Sequence, residues 1–248
     1  LRRRTIDYLL LALIAVGLIG AGYAVAGNSG DGGKTKIATI RPTGVGLPRV
    51  GMHGTVGAGD IAAPLRQYHD SGRYASDLEK VGGKAQAYLD RRVAKIRKQA
   101  RKRCHSHGVS KCRMPELAAT NFSGATAALT TALFAASSPP IEPTLELFDD
   151  ARAKHVSVFF ITGRPDLDVV RDRTESNLTS AGYSDWRDLV LRPSDAEGTR
   201  AYKSAARADI EADGYRIVLN VGDQDSDLRG GHADKAYKLP NPFYFISD

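Results

Sequence analysis

The chain has 248 residues, 42% of them apolar and 25% charged, with a formal net charge of +7. That size allows one sizeable domain with accessories, and the ordinary apolar content excludes a wholly disordered chain. The positive excess is concentrated in a few stretches, which argues against a basic surface spread over the whole molecule.

Arg2, Arg3 and Arg4 precede an uncharged run from Leu9 to Gly27. As a helix, that run would extend roughly 28 Å at roughly 1.5 Å per residue, close to the roughly 30 Å hydrocarbon core of a bilayer. Residues 1–27 are therefore expected to form a transmembrane anchor, with the arginines cytoplasmic and the rest extracytoplasmic. Ala24-Val25-Ala26 also fits a signal-peptidase site, so secretion after cleavage near Ala26 is the alternative. Residues 28–59 are rich in Gly, with Pro42 and Pro48, and are expected to be a flexible linker before a domain over 60–248.

From about Ile61 to Arg103 the pattern is helical. Leu78, Val81, Ala85, Tyr88, Leu89, Val93 and Ile96 recur at three- and four-residue steps, and Gly82-Gly83 is expected to break or kink the helix. Its second half carries Arg91, Arg92, Lys95, Arg97, Lys98, Arg101, Lys102 and Arg103. These charges suit a solvated face that complements the helix C-terminus, or contact with an anionic lipid surface. No aromatic side chains are interleaved among them, so no nucleic-acid partner is expected. Cys104 and Cys112 allow a short disulfide loop, or a zinc site shared with His105 and His107.

From Pro143 helices and strands alternate. Leu145 to Lys154 reads as a helix, Val156 to Ile161 as a strand buried on both faces, and Asp166 to Ser180 as a helix closed by Gly182. Leu189 to Leu191 reads as a strand, Thr199 to Asp213 as a helix closed by Gly214, Ile217 to Val221 as a second buried strand, and Ala236 to Leu239 as an edge strand. The fold class expected is α/β, a Rossmann-like parallel sheet with a helical N-terminal region and one preceding transmembrane helix.

Two of these strands end in polar clusters, Thr162-Gly163-Arg164 and Gly222-Asp223-Gln224-Asp225-Ser226-Asp227. Ligands of open α/β sheets bind beyond the carboxyl ends of the strands, so both clusters should face one crevice. A threonine hydroxyl followed by a glycine amide suits a phosphoryl oxygen. Acids four apart, Asp223 and Asp227, suit a hard cation such as Mg2+. Lys203, near the start of the intervening helix, is placed to offset phosphate charge.

Phe159 to Arg164, Tyr202-Lys203-Ser204 and Gly222 to Leu228 resemble three successive motifs of the haloacid dehalogenase (HAD) superfamily, in its acid phosphatase branch. That branch includes the class B acid phosphatases and the plant vegetative storage proteins. The resemblance implies an HAD-like sheet and Mg2+-dependent hydrolysis of phosphomonoesters. It also implies Thr162 and Lys203 as catalytic residues and Thr162, Gly163, Arg164 and Lys203 as the phosphate-binding set. Asp223 and Asp227 would be metal ligands, with Asp227 alternatively supporting Asp223 from behind.

The same family places Asp-x-Asp-x-Thr at the end of a central first strand, the first aspartate being the nucleophile. The stretch Lys111 to Asn121 contains no Asp-x-Asp and reads as though a segment were lost between Arg113 and Pro115. The expectation is that two buried strands lose their shared neighbour and that turnover lacks its nucleophile. Three outcomes stay open: an active phosphatase, a pseudophosphatase that holds metal and phosphate, or a truncated, non-functional family member.

Overall fold

A computed structural model describes residues 36–39, 67–107, 112–121 and 140–241. Its elements are β1 (Lys36–Thr39), α1 (Arg73–Ser106), β2 (Leu117–Thr120), α2 (Glu142–Ala153), β3 (Ser157–Pro165), α3 (Asp168–Ser180), β4 (Asp188–Arg192), α4 (Thr199–Ala212), β5 (Arg216–Gly222), α5 (Asp225–Leu228) and β6 (Lys235–Lys238). The strands form one sheet in the order β1-β6-β5-β2-β3-β4, and every pairing is parallel.

The burial pattern explains the layers. In β3, Val158, Phe159, Phe160 and Ile161 are all buried, because helices cover both faces of the sheet. Val158 and Phe160 join Ala119, Val218, Leu219 and Val221 in a core under α1, α2 and α3. Phe159 and Ile161 turn the other way, with Ala118 and Ile217, onto Tyr202, Ala206 and Ile210 of α4. Strand alternation thus divides one apolar run between two cores. The larger core holds an aromatic knot in which Phe160 meets Phe148, Tyr183 and Trp186 at centroid distances of 6.0, 5.4 and 6.0 Å. Each buried ring of this kind contributes roughly 1.5–3 kcal/mol of apolar burial.

The sequence expectations need several corrections. The first concerns the centre of the sheet. Leu117–Thr120 forms a strand whose four residues are all buried. It pairs with β3 on one side and with β5 on the other, so the two long strands keep a shared neighbour and do not pair directly. Ala118 and Ala119 are fully buried, and such small side chains let a four-residue strand sit between two long neighbours. Gly82 does not interrupt α1, which runs unbroken to Ser106. A Cβ there would lie 2.7 Å from Pro143 Cβ, so this glycine serves the close crossing of α1 and α2. β6 is not an edge strand, because β1 pairs beside it from within the stretch read as linker. Cys104 and Cys112 are joined in a disulfide, with Cα atoms 5.6 Å apart, which removes the zinc alternative.

The membrane reading is also corrected. Among the described residues no helix is long and apolar enough to cross a bilayer. The one helix of sufficient length, α1, is strongly charged along its second half. The run Leu9 to Gly27 lies outside the described residues. The transmembrane helix, the membrane partner and the anchored or secreted location inferred from that run are therefore not carried forward.

Candidate functional site

The parallel register fixes the crevice. Thr120 lies level with Phe159 of β3 and with Asn220 of β5. Thr162 and Asp223 both follow three residues further on, roughly 10 Å beyond that level at roughly 3.3 Å per residue. They face each other across the shorter β2, two strand spacings or roughly 10 Å apart. The structure thus brings the two polar clusters to the same edge of the sheet, on opposite banks.

The Asp223 bank is built around Asp227. Its Oδ2 accepts the backbone N–H of Asp223 at 3.1 Å and of Gln224 at 2.8 Å, and its Oδ1 is ion-paired with Lys203 Nζ. Lys203 and Asp227 are both buried, at 5% and 5% exposure. Gly222 is what lets the loop close so tightly: a Cβ there would stand 2.3 Å from Asp227 Cβ. Behind the loop, the fully buried Arg207 donates to the carbonyls of Asp227 (2.9 Å), Gly231 (3.0 Å) and Arg229. Burial pushes the Arg207 pKa down to about 10 against the opposing pull of Asp227 and Glu211, which leaves it cationic at neutral pH.

Asp223 itself is 8% exposed. Its Oδ2 accepts from Asn241 Nδ2 at 2.5 Å and from Gln224 Nε2 at 3.3 Å, while Lys238 Nζ donates to its carbonyl. Tyr74, near the start of α1, belongs to the same neighbourhood. Burial, followed by the charge of Asp223, raises its pKa to about 12. Asn241, Lys238, Arg207 and Tyr74 were not singled out from the sequence. Each acts through a tertiary contact from a distant segment, and no local spacing announces it.

The β2–β3 side is different in kind. Thr120 Oγ1 donates to Asn220 Oδ1 at 3.0 Å, and Asn121 Nδ2 donates to the same oxygen at 3.2 Å. Asn121 Oδ1 accepts the backbone N–H of Ile161 at 3.0 Å, and Asn220 Nδ2 closes the chain on the Asp227 carbonyl at 2.8 Å. Asn121 adopts φ 57°, the left-handed region that asparagine tolerates better than most residues. A neutral amide network therefore stands at the end of the central strand. The one available sequence signal is Asn220, a polar residue inside an otherwise apolar strand. Beyond it, Thr162 Oγ1 accepts the Arg164 N–H at 3.4 Å, and Arg164 Nη1 donates to Thr174 of α3 at 3.0 Å. Gly163 lies against Thr199 at the start of α4, where a Cβ would sit 3.5 Å from its methyl group.

For a metal, the donor set is thin. Among the described residues no group of three or more His, Cys, Asp or Glu is arranged to hold an ion. Both Asp227 oxygens already have partners. Asp223 also accepts hydrogen bonds from Asn241 and Gln224, so the residues fit a Mg2+ ion only as one that takes most of its coordination from water and a ligand's phosphate.

Residues 129–247 match the family described as HAD superfamily, subfamily IIIB (Acid phosphatase). Acid phosphatase 1 of Solanum lycopersicum is 41% identical over 111 residues, covering 44% of this chain and 43% of that protein. The stem 28 kDa glycoprotein of Glycine max is 40% identical over 114 residues, covering 44% of each. Vegetative storage protein 1 of Arabidopsis thaliana is 32% identical over 111 residues, covering 44% of this chain and 40% of that protein. The chain thus spans less than half the length of these relatives. The class C acid phosphatase from Bacillus anthracis, solved with tungstate bound, superposes with a TM-score of 0.53 at 15% identity, over 72% of this chain and 82% of that one; this likeness shows the shared fold. Over residues 129–247 the chain is similar to the acid phosphatase branch of the HAD superfamily, and over about 111 residues to a plant vegetative storage protein.

Proposed function

We propose that this chain binds a phosphomonoester in the crevice between Thr162 and Asp223 and holds it without turnover through an aspartyl-phosphate. The observation that carries this reading is the carboxyl end of β2. Thr120 and Asn121 stand there, and their side chains are engaged with Asn220 and the Ile161 amide. The following residues, 122–140, contain no acidic side chain. Among the described residues no carboxylate stands at the end of β2 to begin an in-line attack on phosphorus.

In this reading the Thr162 hydroxyl and the Gly163 amide take phosphoryl oxygens, and Arg164 borders them. Lys203, balanced by Asp227, lends positive potential in a buried setting where it is weakly screened. Asp223 would hold Mg2+ together with the phosphate, and Asp227 would keep the Asp223 turn in shape. The ion, when bound, neutralises phosphate charge.

A second reading, hydrolysis, is favoured by the complete Lys203–Asp227–Asp223 arrangement. One experiment separates the two. The full chain is titrated with a phosphomonoester by calorimetry with and without Mg2+, and turnover of an aryl phosphate is followed in parallel. Binding that weakens at least about tenfold in Thr162→Val, the loss of one charged-group hydrogen bond, with no turnover above an Asp223→Asn control, supports the proposal. Metal-dependent turnover absent from that control refutes it in favour of hydrolysis.

A further inference from the structure

The longest helix carries a feature that the crevice does not use. On α1, Lys80, Lys84, Arg91, Lys95, Lys98 and Lys102 follow one another at helical steps, and all six are exposed. At 3.6 residues per turn they fall within an arc of about 60° and form a straight row roughly 33 Å long. The buried positions Leu78, Val81, Ala85, Leu89, Val93 and Ile96 occupy the opposite side. Lys80 pairs with the buried Asp77 at 3.3 Å. Among the described residues the other five have no carboxylate partner. Between Arg91 and Ser106 the helix contains no acidic residue at all. No helix residue after Ile96 is fully buried, Arg97 still donates to the Lys154 carbonyl, and the Cys104–Cys112 disulfide ties the end of the helix to the following chain.

The first part of the row borders a groove of about 620 Å3 between α1 and β6, lined by Lys80, Lys84, Arg91, Lys235 and Tyr237, with Glu79 the only acid. Lys235 Nζ lies over the rings of Tyr88 and Tyr237 at 5.3 and 5.2 Å, which holds its charge at the groove. We propose that this row and its groove form a binding track for a linear polyanion, namely an inorganic polyphosphate chain. The cations lie along a line, which matches a line of charge better than the plane of a membrane. No aromatic side chain lies between Leu89 and Ser106, so that part of the row has no platform on which bases would stack, and in the groove Lys235 sits over the rings of Tyr88 and Tyr237. Charge repeats every one or two turns, as a flexible chain with a charge on every unit can follow. The inference does not rest on the reading of the crevice.

The test uses the full chain, with binding of long-chain polyphosphate, a mixed-sequence DNA single strand and phosphatidylserine–phosphatidylcholine vesicles measured side by side. Six contacts at about 0.7 counterions each predict that polyphosphate affinity falls on the order of a few hundredfold between 50 and 200 mM salt. The triple variant Lys84→Gln, Lys95→Gln, Lys98→Gln should bind at least about tenfold more weakly and lower the salt slope by roughly 2. The Lys→Arg version of the same triple should retain binding. Removing exposed charges away from α1, with Arg173→Gln and Arg187→Gln, should leave affinity within about threefold, since only long-range screened charge is lost. A loss in this control as large as that of the α1 triple, tighter binding of the DNA strand or the vesicles, or no polyphosphate binding would each overturn the proposal.

Discussion

The two sides of the crevice are held together by different chemistry. On the β5 side the contacts converge on one carboxylate, with local backbone amides on one oxygen and a lysine from α4 on the other. Asp227 reaches back to the amides of Asp223 and Gln224 and across to Lys203, and Gly222 makes room for it. On the β2 side the contacts are neutral amides and a hydroxyl that stitch three strands through Asn220. The first is a loop that its own residues close on Asp227 and that Lys203 and Arg207 of α4 brace from behind. The second exists only when three distant segments have already paired. Phosphate-handling geometry can therefore persist on one bank while the other is rebuilt.

The sharpest way to break this contrast is Asp227→Ala. It strands Lys203 as a buried, unpaired cation and frees two loop amides. Urea denaturation should show a loss of about 3–5 kcal/mol. Next comes Gly222→Ala, whose methyl group would overlap Asp227; the overpacking should cost about 1–3 kcal/mol and remove phosphate binding with it. On the amide side, Asn220→Ala leaves Thr120, Asn121 and the Asp227 carbonyl without their shared partner. A loss of about 1–3 kcal/mol is expected by the same assay, and the conservative Asn220→Asp should not restore it, since it removes the donor to Asp227. If the neutral side proved the costlier to disturb, the contrast drawn above would be wrong.

The smallest effect concerns pH. Asp234 lies between Arg92 and Arg216, at 2.8 Å from each. Burial would raise its pKa, but the hydrogen bonds from the two arginines prevail and hold it below the usual carboxylate range. A depressed folded-state pKa means that the unfolded chain takes up the proton first. The stabilisation is thus fully present above the ordinary aspartate range and is lost as pH falls through the folded-state value. Thermal melts between pH 6 and pH 2 should show a shallower acid decline in Asp234→Asn than in the parent; identical slopes would remove this pair from the account.

What was legible in the sequence follows the same division. The α/β alternation, the buried runs of β3 and β5, and the turn at Asp223 could all be read, because each depends on residues close together in the chain; Thr162 to Arg164, expected beyond the end of the strand, lie within β3. The closing glycines Gly182 and Gly214 do have positive φ, at 90° and 91°. The strand Leu117–Thr120 was not legible: four residues with two alanines carry no strand signal of their own, and burial between two neighbours makes them one. Asn241 and Tyr74 were missed for the same reason, since each meets Asp223 only after folding. Gly82 was misread because a glycine within a helix signals either a break or a close crossing, and only the packing of Pro143 decides between them.

The pairing of β1 with β6 joins Lys36 to Lys235, positions separated by most of the chain. On the ribosome, β1 must therefore wait for this partner until β6, roughly 200 residues later in the chain, has been made. Closing so long a loop carries a large entropic cost and belongs among the slow events of folding. The sheet can assemble around β5, β2 and β3 before that edge is sealed, and a nascent chain would expose the edge of β6 to other chains until β1 arrives.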